Sequence, residues 1–214
     1  MDTAIFNAMT KAAKNTPALN GFTKQFTTWG VVLLAVLMLL VYLRGRFKED
    51  AVERLARVIG TGIAAVLAYG ISEVIKNIVK RPRPWERFPH AFILAPHETS
   101  YSFPSNHAIV VGAVIMGLWL SKDVLITFIA TVDGLLVAIS RLYLGAHYFS
   151  DVAVGFLLGL VIAAIVSAVT SKLLDPVIEK IADGKYRVLV TSRPKKKIEF
   201  NTYSKIKPLD TDKL

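Results

Sequence analysis

Long apolar blocks recur along the chain and constrain its fold more than any other feature. Five of them can be read, at about residues 29–43, 52–79, 107–120, 124–144 and 151–173. A helix needs about 20 apolar residues to cross the hydrocarbon core of a bilayer, and most of the blocks approach or exceed that length. Because backbone polar groups in lipid must be satisfied within the spanning element, the blocks predict an all-α, polytopic membrane helical bundle with about five transmembrane spans.

The composition agrees with a membrane protein. Hydrophobic residues make up 53% of the chain and charged residues 20%, and the mean hydropathy is +0.48. An ordinary soluble domain is less apolar, so a soluble all-helical protein is the weaker alternative. The third block is short for a span, which predicts that its helix also takes in residues before His107. The chain has no cysteine, which excludes disulfides, thiolate catalysis and zinc–sulfur sites.

Three regions are expected along the chain. The first is residues 1–28, an N-terminal interfacial segment. At its end, Leu19, Phe22 and Phe26 recur at helical spacing with Trp29, the first residue of the first span, after a helix start at Thr16–Pro17. This pattern favours an N-terminal helix in the membrane interface, with a capping helix over the loops as the alternative. No removable signal peptide is expected. Residues 29–173 form the membrane domain, and residues 174–214 form a basic tail whose role the sequence leaves open.

The distribution of charge predicts an orientation. The formal charge is +10, and in a membrane protein such an excess is first an effect of the positive-inside rule, not a sign of nucleic-acid binding. With the basic tail in the cytoplasm, five spans put the N-terminus and the loop after residue 79 outside. That loop breaks the rule because it carries Lys80, Arg81, Arg83 and Arg87. Binding of an anion explains basic residues on that side.

Asp133 lies inside the fourth block. A charged residue at that depth is costly unless it faces protein or water, which makes it a functional candidate. It belongs to none of the motifs below. The simpler interpretation is therefore a buried hydrogen bond between two helices.

Three clusters of polar residues are expected to meet at the outer ends of spans two to five. They are residues 76–84 (KNIVKRPRP), 104–107 (PSNH) and 141–151 (RLYLGAHYFSD). A phosphoryl group that is being transferred spreads its negative charge over three oxygens. In the absence of a metal ion, cationic side chains and hydrogen-bond donors must surround those oxygens. The candidate ligands are Lys76, Arg83 and Arg141, the hydroxyl of Ser105, and the start of a helix at Asn106 and His107.

Two histidines in these clusters are candidates for the in-line chemistry. A nucleophile and an acid must flank the phosphorus, and His107 and His147 are both available. Asp151 follows His147 at i+4, so a helical turn there lets the carboxylate orient one ring nitrogen.

Taken together, the clusters resemble the motifs of the type 2 phosphatidic acid phosphatase superfamily, which also includes vanadium-dependent haloperoxidases. The family patterns are K-x6-R-P, P-S-G-H and S-R-x5-H-x3-D. They match Lys76, Arg83 and Pro84; Pro104, Ser105 and His107; and Ser140, Arg141, His147 and Asp151. Asn106 departs from the pattern, since the family usually has glycine there. The resemblance covers about residues 55–170.

The resemblance implies a role for each matching residue. His147 would form a phosphohistidine, Asp151 would support it, and His107 would protonate the leaving group. Lys76, Arg83, Ser105, Arg141 and the Asn106 amide would hold the phosphate. No metal ion and no cofactor would take part.

The implied activity is hydrolysis of a lipid (di)phosphate in the cell membrane, at a site that faces outside. The chain is similar first to undecaprenyl diphosphate phosphatases of the BcrC type, which implies conversion of undecaprenyl diphosphate to undecaprenyl phosphate. The alternative is a phosphatidylglycerophosphate or phosphatidate phosphatase, which the chain also resembles. The expected partners are the lipid substrate and the bilayer, and the oligomeric state stays open.

A non-enzymatic phospholipid transporter or binding module is the alternative of another class, although no internal repeat or paired interrupted helix supports it. A soluble haloperoxidase fits the membrane spans less well.

Overall fold

The regular structure of the protein is helical throughout the described residues, 1–192, of the computed structural model. The helices are α1 (Asp2–Asn15), α2 (Pro17–Gly45), α3 (Ala51–Val79), α4 (Pro84–Arg87), α5 (Asn106–Leu120), α6 (Val124–Tyr143) and α7 (Phe149–Asp183), followed by a short 3-10 turn at Arg187–Leu189.

Four helical segments are long and apolar enough to cross a membrane. They are α2, α6, α7 and the segment Ala51–Arg87 that contains α3, while α5 is a shorter apolar helix of 15 residues. Large apolar side chains such as Val66, Phe128 and Ile165 are more than 60% exposed on the outside of the bundle, as expected for a surface that faces lipid. The predicted all-α membrane bundle is therefore confirmed.

Helix α5 lies at the centre of the bundle and packs against α3, α6 and α7. Two glycines allow it to approach α7 closely. A Cβ atom on Gly112 would lie 2.2 Å from the carbonyl oxygen of Phe156, and one on Gly159 would lie 2.0 Å from that of Ile109. Small residues at such contacts let two membrane helices pack backbone against backbone. This contact brings the N-termini of α5 and α7 together at one end of the bundle.

The sequence predicted that α5 includes residues before His107, but the helix includes only one of them, Asn106. The helix begins at Asn106, and Ser105 is its extended N-cap residue, with φ −75° and ψ 120°. The Ser105 backbone N–H donates instead to the carbonyl of Asp151 at 3.0 Å. The segment before α5 is thus held by α7, and it forms part of a polar site instead of a longer span.

The N-terminal part also differs from its predicted form. The helix start at Thr16–Pro17 is confirmed, but the helix continues to Gly45, so the predicted interfacial helix and the first span are one helix. The separate N-terminal helix is α1, whose Phe6 stacks on Phe88 with 5.0 Å between ring centroids. The predicted boundaries at residues 28 and 173 consequently fall inside α2 and α7. Most of the predicted basic tail, residues 193–214, lies outside the described residues.

Asp133 on α6 does not form the interhelical hydrogen bond that was expected. Its side chain is buried, and its Oδ2 has no hydrogen-bond partner in the described part of the chain. It faces α2 where a Cβ atom on Gly30 would lie 3.3 Å from Oδ1. The close approach of α2 puts glycine, which offers no side-chain donor, opposite the carboxyl group.

The end of the bundle opposite the polar site is held by basic residues. Arg54 pairs with Asp50 at 2.7 Å and donates to the carbonyl of Ser121 at 2.8 Å, and Arg44 pairs with Asp123 at 3.3 Å. These cations lie at the C-terminus of α5, where they complement its dipole.

The predicted orientation can be tested at the two ends of the bundle. We expect a cysteine introduced at Lys48 to be cytoplasmic and one at His90 to be external. Both native residues are exposed, and the chain has no native cysteine that would add background labelling. The measurement is labelling by a membrane-impermeant maleimide in intact cells, with permeabilised cells as the control. Labelling of the Lys48 position alone in intact cells would reverse the orientation.

Candidate active site

The three polar clusters converge at one end of the bundle. The C-terminal ends of α3 and α6, the N-terminal ends of α5 and α7 and the loop after α4 all contribute to it. Of the eight candidate residues, six are buried, namely Lys76, Arg83, Ser105, Arg141, His147 and Asp151, while Asn106 and His107 are partly buried.

The imidazole of His147 is held in one tautomer. Its Nδ1 lies 2.8 Å from the carbonyl oxygen of Ser102. A carbonyl can only accept, so Nδ1 carries the proton and donates it, and Nε2 keeps its lone pair. Nε2 in turn lies 3.4 Å from Nη1 of Arg83. The unprotonated nitrogen therefore faces the cationic part of the site.

The surroundings also keep His147 uncharged. Burial, together with the charges of Arg83 and Arg141, lowers the pKa of His147 to about 4, although the neighbouring carboxylate of Asp151 acts in the opposite direction. Above about pH 5 the ring is consequently neutral and available as a nucleophile.

Asp151 supports His147 through its neighbours more than by direct contact. Its Oδ2 is 3.7 Å from Nδ1 of His147, longer than a hydrogen bond. The same oxygen accepts from the hydroxyl of Ser102 and, at 2.9 Å, from the backbone N–H of Tyr148. The carboxylate thus fixes the two backbone segments on either side of the imidazole. The motif spacing did not reveal Ser102, which contacts both His147 and Asp151.

Arg81 also binds Asp151, through the second carboxylate oxygen. Its guanidinium donates to Oδ1 of Asp151 at 2.5 Å and lies 4.1 Å from the ring centroid of Tyr148. It also pairs at 2.7 Å with Asp2 of α1, and Asp2 accepts from the backbone N–H and hydroxyl of Ser150. The N-terminal helix is therefore tied to the start of α7. Arg81 faces Asp151, whereas Arg83, two residues later, lies beside His147.

Arg83 and Arg141 both contact the carboxylate of Glu98, a residue that the sequence motifs did not indicate. Nη2 of Arg83 donates to Oε2 of Glu98, and Nη2 of Arg141 lies 3.3 Å from Oε1 of the same residue. Arg83 is further held by Ser100, to whose carbonyl and hydroxyl it donates at 2.7 Å each. Partial burial raises the pKa of Glu98, but the charges of Arg83 and Arg141 together lower it below the ordinary value.

Asn106, the one departure from the family pattern, is accommodated by α3. Its Oδ1 accepts from the hydroxyl of Ser72 at 2.6 Å, and its Nδ2 donates to Glu73 at 2.7 Å. Glu73 also pairs with Lys76 at 3.2 Å. The amide side chain is thus directed towards α3, and the backbone N–H at the start of α5 is left for another acceptor.

Six buried side-chain polar atoms have no hydrogen-bond partner within residues 1–192, and two of the six belong to candidate phosphate ligands. Those two are the hydroxyl oxygen of Ser105 and Nε of Arg141. Buried donors are nearly always paired in folded proteins, so unpaired ones in a cluster of cations indicate a site that receives a ligand oxygen. Both residues belong to the predicted phosphate-binding set.

Two cavities meet at His107. One has a volume of about 540 Å³ and is the more polar of the two, and its walls include Lys24, Thr27, Glu98, His107 and Arg141. The other, of about 340 Å³, is almost wholly apolar and is lined by α2, α3 and α5 residues that include Val31, Tyr69 and Val110. His107 therefore lies at the junction between a cationic chamber and an apolar cleft.

Within the described residues, no group of three His, Asp or Glu side chains is placed to hold a metal ion. The positive charge of the site comes from Lys76, Arg83 and Arg141, and its carboxylates are each paired with these cations or with Arg81.

A family model for the PAP2 superfamily matches residues 57–175, more than half of the chain. The chain belongs to the PAP2 superfamily. This match confirms the resemblance drawn from the three motifs, and it covers α3 to α7, the helices on which those motifs lie.

The chain is also similar to named phosphatases and to a solved structure. The chain is 34% identical over 97 residues to an undecaprenyl-diphosphatase of Sulfolobus acidocaldarius, covering 45% of this chain and 47% of that protein. It is 32% identical over 123 residues to phosphatidylglycerophosphatase B of Bacillus subtilis, covering 52% and 59%. Each match thus spans about half the length of the named relative. The crystal structure of Aquifex aeolicus LpxE has the same fold, with a TM-score of 0.60 at 23% identity over 77% of this chain and 93% of that one.

Replacement of Asp151 tests the support of His147. We expect Asp151→Asn to lower kcat by about 10²-fold or more, by analogy with the carboxylate of a catalytic triad, because an amide cannot accept from Ser102, Tyr148 and Arg81 together. KM should change much less. Asp133→Asn is the matched control, since it neutralises a buried aspartate away from the site. Steady-state kinetics that leave the Asp151→Asn enzyme at wild-type kcat would contradict this role.

Proposed function

We propose that the chain is a metal-independent membrane phosphatase that hydrolyses a lipid diphosphate, most specifically undecaprenyl diphosphate to undecaprenyl phosphate. The observation that carries the proposal is the neutral His147, whose unprotonated Nε2 lies 3.4 Å from Nη1 of the buried Arg83. Membership of the PAP2 superfamily and the undecaprenyl-diphosphatase among its relatives support the same reaction class.

The geometry supports a two-step transfer. Nε2 of His147 attacks the terminal phosphorus, and the bond from phosphorus to the leaving oxygen breaks as His107 gives that oxygen a proton. Arg83, Arg141, Lys76, the hydroxyl of Ser105 and the Asn106 backbone N–H stabilise the charge on the three equatorial oxygens. Water, deprotonated by His107, then attacks the phosphohistidine, which releases orthophosphate and restores both histidines.

The polar cavity favours a leaving group that is itself charged. In-line attack by His147 puts the leaving group on the opposite side of the phosphorus, towards His107. Lys24 lines the same cavity as His107, and none of the ion pairs within residues 1–192 includes it. A diphosphate leaves a phosphate next to the broken bond, and Lys24 offers a cation for it.

The apolar cleft supports a lipid as the rest of the substrate. It reaches His107 between α2, α3 and α5, and its walls are almost free of polar surface. An acyl or prenyl chain buries apolar area there while its phosphate enters the cationic chamber. In the predicted orientation the site faces outside and the basic tail lies in the cytoplasm.

A phosphatidylglycerophosphate or phosphatidate phosphatase is the second candidate. The relative from Bacillus subtilis that carries the name phosphatidylglycerophosphatase B supports it. The same His147 and arginine pair would serve, and the two candidates differ in what occupies the cavity beside Lys24.

Phosphate release from a panel of detergent-solubilised lipids tests both the activity and its substrate. The panel holds undecaprenyl diphosphate, undecaprenyl phosphate, phosphatidylglycerophosphate and phosphatidate, each in excess chelator. We expect the highest kcat/KM on undecaprenyl diphosphate, full activity in chelator because the cations are side chains, and none in His147→Ala. A preference for phosphatidylglycerophosphate would select the second candidate. Activity that is lost in chelator and returns with magnesium would contradict the mechanism.

A further inference from the structure

Glu98 occupies the position between the two arginines that are proposed to hold the phosphate. Its two carboxylate oxygens are divided between Nη2 of Arg83 and Nη2 of Arg141. The arginine side chains are 1% and 5% exposed, whereas that of Glu98 is 38% exposed. The carboxylate therefore enters the buried cationic site from its open side.

A carboxylate and a phosphate compete for such a position. Arginine forks bind the oxygens of either group with charge-assisted hydrogen bonds of similar geometry. Glu98 shares its cavity with His107, and its charge acts on both His107 and His147. A phosphorus atom in line between these histidines needs the arginine nitrogens that Glu98 now occupies.

The chain around Glu98 is fastened on both sides but not at Glu98 itself. The N–H groups of Leu94 and Ala95 donate to the carbonyl of Leu144 at 3.0 and 2.9 Å, and the N–H of Ser102 donates to that of Arg81 at 2.9 Å. Residues 96–99 make no backbone hydrogen bond to the described chain, and Pro96, His97 and Thr99 are exposed, although the His97 ring stacks on Trp85 with 5.0 Å between centroids. The side chain of Glu98 therefore has room to turn into solvent without disturbing either anchor.

We propose that Glu98 is an internal competitor for phosphate, which fills the arginine pair in the resting enzyme, yields to the substrate and returns to displace orthophosphate. This inference rests on the proposed phosphatase function. Two buried guanidinium groups without an anion carry a large desolvation cost, so the resting state favours the carboxylate. Because Glu98 is tethered beside the site, its effective concentration is high, which weakens the apparent affinity of a free phosphate ion. The lipid substrate offsets the same competition through its apolar chain.

Inhibition by orthophosphate tests the proposal during turnover. We expect Glu98→Gln and Glu98→Ala to lower the inhibition constant of orthophosphate by about ten-fold or more, since a charged competitor with two arginine contacts is removed. Glu86→Gln is the matched control. It removes one negative charge near Arg83, but its side chain accepts from the Arg83 backbone N–H at 3.0 Å and not from the guanidinium, so its inhibition constant should equal that of the wild type.

Calorimetric binding of orthophosphate to the His147→Ala protein, with and without Glu98→Ala, gives a reading that does not depend on turnover. We expect tighter binding in the double variant. An absence of lipid phosphatase activity in the wild type would reject the proposed function but leave this binding comparison intact. Unchanged or weaker phosphate binding in the Glu98 variants would overturn the inference, provided that these variants elute as monodisperse protein. A carboxylate that only holds the arginines in position would support phosphate binding, so its removal would weaken that binding.

Discussion

Two guanidinium groups buried in a membrane bundle determine what the rest of the site must do. Arg83 and Arg141 are 1% and 4% exposed, and arginine cannot shed its charge as a buried lysine or histidine can. Such groups are tolerated only with anions and hydrogen-bond acceptors around them. Glu98, Ser100 and the carbonyl of Ala146 fill this role in the structure. A site that must hold an anion in order to be stable is already suited to hold a phosphate.

The packing of α5 on α7 places the reactive groups relative to these cations. The close contacts at Gly112 and Gly159 bring two helix N-termini together, and the Ser105 N–H bonded to the Asp151 carbonyl joins them. Both helices direct the positive ends of their dipoles at the site, which favours an anion there. His147 lies just before α7, and the carbonyl of Ser102 sets its tautomer. Helix packing, loop position and imidazole chemistry therefore depend on one another.

The sequence predicted the bundle and most of the site because both leave periodic or spaced signals. The apolar runs predicted the bounds of α3 and α6 to within about one residue. Because successive spans cross the membrane in opposite directions, their order also predicted that the three motifs lie at the same end of the bundle. The spacing predicted the helix start at Thr16–Pro17 but not that this helix and the first span are one, because an apolar run marks only the part of a helix in lipid. Glu98, Ser102 and the Arg81–Asp2 pair escaped notice because they act through contacts between distant loops. The sequence predicted a hydrogen bond from Asp133 to another helix, but the residue opposite it on α2 is Gly30, which has no side-chain donor.

The covalent intermediate tests the central claim most directly. Enzyme mixed with lipid diphosphate and quenched within milliseconds at alkaline pH, where phosphohistidine survives, can be digested and mapped by mass spectrometry. The structure predicts phosphate on Nε2 of His147, since Nδ1 is committed to the Ser102 carbonyl, and no phosphoenzyme in His147→Ala. Phosphate found on His107, or turnover by the His147→Ala enzyme at the wild-type rate, would contradict the account.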